Sequence, residues 1–242
     1  GTTGLVAQAL GAANHQMIQN LWLRVALFGS ILGLALIVLQ NPIAHWSLVI
    51  ISPSAEVAQY ATEYIRIRIW AAPATLLLYG MNGWFLGMQN ARIPMIITIV
   101  LNIINLVLNV VFVLVLDWKV AGIALGSVIA SYLGLFLALG IFFQSYAKHW
   151  VSGWWREWQK SDFWEPSTWK EWLGVNRDIF IRTLCLIFAY AYFTTTSARA
   201  GDLVLATNTI LLQLWYISSY GIDGFAYAAE SLSGMYWGQK NT

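Results

Sequence analysis

Charge is what this chain has least of. Among its 242 residues, 13 are Lys or Arg and 11 are Asp or Glu, 10% in all, against 59% hydrophobic. A soluble domain carries roughly 25% charged residues because its surface must be solvated. A globule of this size cannot be covered by so few charges, so most of its outer surface must face lipid. Cysteine is nearly absent too. Cys185 stands alone inside an apolar run, which excludes an internal disulfide and a thiolate zinc site and leaves a small packing residue. His15, His45 and His149 are read as loop residues far apart in sequence, and they point to neither a metal nor catalysis. A net charge of +2 does not indicate a nucleic-acid partner. There is no Gly-rich loop followed by Lys and no nucleophile–base pair, so nothing reads as an enzyme or needs a cofactor. The chain opens Gly1-Thr2-Thr3 without Met, a basic n-region or a signal-type cleavage site, as if it started inside something larger.

Long uncharged runs are what it has instead. From Ile69 to Ala147 the only charges are Arg92, Asp117 and Lys119, leaving three uninterrupted stretches, Ile69–Ala91, Ile93–Leu116 and Val120–Ala147. About 20 apolar residues cross a hydrocarbon core as a helix, whereas barrel strands alternate in segments of about 10. Each stretch is long enough for a helix. The fold class is therefore all-α, a polytopic transmembrane helix bundle. Full spans are expected at 21–39, 65–89, 94–116, 120–143, 179–198 and from 203–222 onward toward Trp237. Residues 1–13 read as the end of a cut helix, and Gly11–Gln16 as a turn. Arg24 is expected to snorkel to the head groups. The stretch 42–60 reads as a loop with an interfacial helical piece. Pro73 predicts a kink, and Pro94 a helix start.

Residues 144–176 differ in character. They hold seven of the fourteen tryptophans, and Trp150, Trp154 and Trp158 share one helical face beside basic residues. Tryptophan favours the membrane–water boundary, so the segment reads as an interfacial linker, with a second short helix opening near Thr168. Arg92, Lys148, Arg156, Lys160, Lys170, Arg177 and Lys240 fall on one side of the alternating spans. The other side carries Arg66, Arg68, Lys119 and Arg199. The positive-inside rule makes the first side cytoplasmic.

Polar groups inside spans are costly and mark the candidate sites. Asn102, Asn105 and Asn109 share a face of the third span, and Ser127 on the next helix can face them across the Asp117–Lys119 turn. Amide and hydroxyl oxygens suit a hard cation such as Na⁺. They serve equally as interhelical glue at about 1 kcal/mol or less per pair. Asp223 and Glu230, seven residues apart, share a face of the last helix. An acid at bilayer depth costs about 2.5–3.5 kcal/mol and usually lines a cavity or a proton path; Glu230 can also sit hydrated at the interface. Asn102, Gln213, Tyr216 and Tyr220 are the candidate cavity lining. Gly29/Gly33, Gly83/Gly87 and Gly122/Gly126 are small-xxx-small pairs for close helix approach.

Five stretches resemble the multidrug and toxic compound extrusion (MATE) family, most closely its DNA-damage-inducible F (DinF-like) branch. They are Gly4–Asn14; Ala72-Pro-Ala74 with Gly83–Gly87; Leu101–Asn109; Asn176–Arg182; and Asp223–Glu230 through Gly234 and Gly238. The resemblance implies a secondary antiporter of two six-helix bundles, monomeric at full length, in the inner (plasma) membrane. It would export amphipathic or cationic compounds in exchange for H⁺ or Na⁺ by alternating access. This chain would run from the end of the second helix to the end of the eighth. Residues 1–143 would belong to the N-terminal bundle, 144–176 to a cytoplasmic linker and 177–242 to the C-terminal bundle. Asn105, Asn109 and Ser127 match a family cation site, but Asn109 stands where an Asp is expected, which favours H⁺ over Na⁺. Gly11–Asn14 and Gly238–Asn241 share G-x-x-N, as corresponding ends of repeated helices would. The alternatives are a flippase of lipid-linked saccharides from the wider superfamily and a membrane scaffold.

Overall fold

In a computed structural model, residues 1–51, 55–146, 163–164 and 166–240 are described. Helices account for nearly all of them: α1 (Thr2–Gly11), α2 (His15–Val38), α3 (Gln40–Ile51), α4 (Ala55–Arg68), α5 (Ala72–Gly87), α6 (Arg92–Val110), α7 (Lys119–Ser145), α8 (Pro166–Arg199) and α9 (Asp202–Lys240). Among the described residues, His15–Val38, Arg92–Val115, Lys119–Ser145 and Trp172–Ser197 are long and apolar enough to cross a membrane. The other two expected spans are helical but less uniform. A 3₁₀ turn at Ile69–Ala71 divides the rod of α4 and α5 immediately before Pro73. Proline has no N–H for the carbonyl four residues back, so the regular ladder fails there. The Trp70 carbonyl accepts from the Tyr132 hydroxyl at 2.9 Å. In α9, Thr207, Asn208, Thr209, Gln213, Ser218 and Ser219 dilute the apolar run.

Three local expectations are corrected. The stretch read as a loop is helical on both sides of 52–54, and His45 lies on α3. The first span ends at Val38, and Pro42 sits in the first turn of α3, where a missing N–H breaks no intrahelical bond. The short helix and fifth span expected after the linker are one helix, α8, of 34 residues. Residue 176, the expected end of the linker, lies inside it. Arg24 does not snorkel. It is 2% exposed, with its guanidinium carbon 5.7 Å from the Phe163 ring and 5.4 Å from the Trp169 ring. Its Nη2 donates to the Phe163 carbonyl at 3.5 Å, and Trp169 Nε1 donates to the same oxygen at 2.7 Å. The helix expected to carry Trp150, Trp154 and Trp158 lies outside the described residues.

Helices α1, α2, α5, α6 and α7 pack around one aromatic seam, which Trp172 of α8 joins. Trp22 stacks on Phe142 at 4.4 Å, and Trp84 meets Phe142 and Tyr146 edge-on at 5.4 and 5.1 Å. Trp84 is fully buried, and its Nε1 donates to the Ile18 carbonyl at 3.2 Å. Lipid gives helices no hydrophobic drive to associate, so close packing at small residues has to hold them together. A Cβ on Gly33 would run into Pro73, and one on Gly87 would lie 2.6 Å from Val6 and 2.7 Å from the Thr3 carbonyl. The opposite surface of α6, with Met95, Ile99, Ile103, Leu106 and Val110, is exposed and suits lipid.

The tightest approach joins α1 to α9, the first of these helices to the last. A Cβ on Gly11 would collide with the Met235 carbonyl, and one on Gly238 with the Gln8 carbonyl. A Cβ on Gly234 would likewise lie 3.0 Å from both the Ala7 Cβ and the Gly4 carbonyl oxygen. The glycines of the two G-x-x-N segments thus each admit the other helix's backbone. A third copy, Gly87-Met-Gln-Asn90, ends α5. In both Gly11–Asn14 and Gly87–Asn90 the third residue is left-handed (Ala13 φ 51°, Gln89 φ 60°). The Asn N–H then reaches back to the Ala9 or Phe85 carbonyl at 2.9 or 3.0 Å. This is the Schellman helix stop, formed at both segments. Asn14 goes on to cap α2, accepting from the Met17 N–H at 2.9 Å.

Candidate functional site

Two polar clusters stand where helices meet. The first lies between α6 and α7, joined by a tight turn in which Asp117 and Lys119 have φ of 52° and 44°. That turn folds α7 back on α6, so Ser127 faces the asparagines. Asn105 Nδ2 donates to Ser127 Oγ at 3.0 Å, and Asn109 Nδ2 donates to Asn105 Oδ1 at 3.1 Å. Ser127 Oγ donates in turn to the Ile123 carbonyl at 3.0 Å. Asn109 Oδ1 is buried with no hydrogen-bond partner among the described residues. It rests against Gly126, whose absent Cβ would lie 2.5 Å away. Just beyond Asn109, α6 widens into a π-helical turn at Val111–Val115, a distortion frequent at functional sites. Asn102 is exposed and outside this network.

The second cluster lies between α8 and α9. Ile179, Arg182, Thr183 and Leu186 from α8 and Asp223, Ala226, Tyr227 and Glu230 from α9 line a cavity of about 470 Å³, with Gly1 also at its edge. Asp223 is exposed into it and Glu230 half-buried. Glu230 Oε1 accepts from the Gly4 N–H at 3.1 Å and lies 4.0 Å from the amino group of Gly1. Gly4 permits this approach, since a Cβ there would stand 3.2 Å from the carboxylate oxygen. The acid on α9 therefore reaches across to α1. Gln213 and Tyr220 are exposed, and Tyr216 packs on the Tyr190 ring at 5.5 Å; none of the three lines this cavity. The two clusters share no hydrogen bond and no cavity among the described residues, where no group of three His, Cys, Asp or Glu is placed to hold a metal.

Sequence reasoning took Arg182 only as the end of the Asn176–Arg182 stretch and gave it no site role, yet it is a guanidinium set in an apolar run and facing the same cavity as both acids. Its signal was present: one cation at 182 between Ile181 and Thr183, well inside a stretch long and apolar enough to cross a membrane.

Long apolar helices with polar groups buried where they meet are the marks of a polytopic helical membrane protein. The fold agrees with solved structures. A MATE transporter in complex with MaD3S superposes with a TM-score of 0.81 at 18% identity, over 99% of this chain and 53% of that one. An outward-facing MATE family transporter of the MOP superfamily gives 0.78 at 18%, over 99% and 52%. In sequence, the DNA damage-inducible protein F of Escherichia coli K12 is 36% identical over 240 residues, 99% of this chain and 51% of that protein. Protein DETOXIFICATION 43 of Arabidopsis thaliana is 28% identical over 195 residues, 79% and 34% respectively. The MatE family model matches residues 1–111. In sequence and in fold the chain matches the MATE family, as the resemblance implied, and it spans about half the length of the relatives it matches.

Proposed function

We propose that the full-length protein exports amphipathic cations in exchange for protons, by rocking of two helix bundles that open a central cavity to either side in turn. The observation that carries this reading is the α8–α9 cavity. Asp223 and Glu230 supply negative charge on one wall, and Ile179, Leu186 and Tyr227 supply apolar contact. A carboxylate can hold a proton or a cation but not both, so loading one releases the other. Protonation in the outward state expels the drug, and the proton then leaves inward. Two carboxylates facing one guanidinium also suit a cation better than the anionic diphosphate of a lipid-linked saccharide.

The α6–α7 cluster supports H⁺ over Na⁺ as the coupling ion. Asn105, Asn109 and Ser127 present neutral oxygens only, and already bond to one another. With no anion among them, a monovalent metal has little to offset the loss of its hydration. We assign the chain to two bundles, 1–143 and 177–242, joined by a cytoplasmic linker at 144–176, in a monomer of the inner membrane. The test is Asp223→Asn in the full-length protein. Proton-linked efflux of a cationic dye should be abolished while membrane insertion is unaltered; unchanged efflux would remove Asp223 from the mechanism.

A further inference from the structure

The register of α8 on α9 assigns Arg182 a partner. The helices run antiparallel from the turn at Ala200 and Gly201, and their cross-contacts keep step. Near the turn, Asn208 Nδ2 donates to Ser197 Oγ at 2.8 Å. Two helical turns further along each helix, Trp215 Nε1 donates to the Tyr190 hydroxyl at 3.2 Å. Two turns further again along each, Arg182 and Asp223 come level, and both line the cavity. Among the described residues no ion pair ties either of them to another group, so both charges are presented to the space between. The remaining charged group on that wall is Glu230. The Gly1 amine at the cavity's edge is charged only where the chain starts there; in a chain extended N-terminally it is a peptide nitrogen.

We propose that Arg182 is the counter-charge of Asp223 across this cavity and sets the charge of the substrate taken there. This rests on the reading of the cavity as a cation site. With Arg182 present, a substrate meets two carboxylates and one guanidinium. A singly charged amphiphile satisfies the surplus carboxylate and lets its apolar body rest on Ile179, Leu186 and Tyr227. A doubly charged one brings its second charge toward the guanidinium and is disfavoured. Arg182 is a specificity residue on this account, and its removal redirects the cavity rather than emptying it.

The test compares two dyes with one ring system and different charge, ethidium (+1) and propidium (+2), in proteoliposomes holding the full-length protein. Their equilibrium binding to the purified protein is measured by fluorescence. Arg182→Gln should move both the transport ratio and the binding ratio toward propidium by roughly tenfold, the scale of one unit charge about 10 Å away at an effective dielectric near 20. Arg182→Lys keeps the charge and should leave both ratios within about threefold of the parent. Ratios are insensitive to the fraction of protein folded, so partial misfolding of the Gln variant does not disguise the result. A parent protein that moves both dyes, with ratios unchanged in Arg182→Gln, overturns the assignment to Arg182 alone. A parent that binds and moves neither dye overturns the cation-site reading, and this inference with it.

Discussion

Gly126→Ala puts a number on the packing between α6 and α7. The new methyl would stand 2.5 Å from Asn109 Oδ1, closer than real Cβ contacts, while its other neighbours, Leu108 Cβ at 3.4 Å and Asn109 N at 3.5 Å, are in ordinary contact. The Asn109 amide must therefore swing away. That breaks its 3.1 Å bond to Asn105 and loosens the 3.0 Å bond from Asn105 to Ser127. Polar bonds between membrane helices average about 0.6 kcal/mol and reach about 1.7. Overpacking adds about 1–3 kcal/mol, while replacing glycine in a helix returns about 0.8–1.0. The net expected loss is about 2 kcal/mol, mostly from overpacking. In an Asn109→Ala background the amide is gone and the same methyl meets only ordinary contacts. There Gly126→Ala should be neutral or stabilising by up to ~1 kcal/mol. The assay is a double-mutant cycle on the full-length protein, unfolded with SDS in bicelles and followed by tryptophan fluorescence. A coupling of about 2–3 kcal/mol between the two sites is expected. An equal cost for Gly126→Ala in both backgrounds would refute the contact and the account of the amide network built on it.

Other outcomes follow from single contacts. Arg24→Lys keeps the charge but loses the planar stack between Phe163 and Trp169 and the bond to the Phe163 carbonyl. It should destabilise by about 1–3 kcal/mol and speed proteolysis near residues 163–169, where an unchanged cleavage rate would count against the clamp. Gly238→Leu forces α9 off the Gln8 carbonyl. Dye export should fall to background while the protein still reaches the membrane, and full export would show that α1 and α9 need not approach so closely. Ser127→Ala removes the acceptor of the Asn105 amide and should cost about 0.6 kcal/mol in the same unfolding assay.

Much of the candidate site was open to sequence reasoning where the governing geometry is local. Asn105 and Asn109 share a helical face by their spacing, and the Asp117–Lys119 turn is too short to let α7 go anywhere but back along α6. Ser127 had to come near them. Asp223 and Glu230 shared a face for the same reason, although the Gly4 N–H as a partner of Glu230 was not foreseeable. Arg182 was missed because its meaning depends on the register of two helices: shifting α9 by half a turn would point Asp223 elsewhere without altering a residue.

By itself the sequence determined the solvent and the secondary structure. So few charges leave no surface for water, and uncharged runs long enough to cross a bilayer must satisfy their backbone polar groups internally, which makes them helices. Both are properties of a short window of chain. The tertiary structure alone decided which faces meet. It buried Arg24 between two rings of a segment far along the chain, merged the linker's end with the next helix as α8, and locked Gly11 against α9 and Gly238 against α1. It also set Arg182 level with Asp223. In lipid these choices rest on shape, on small residues that let backbones touch and on scarce polar partners, and such complementarity exists only between surfaces that folding has already brought together.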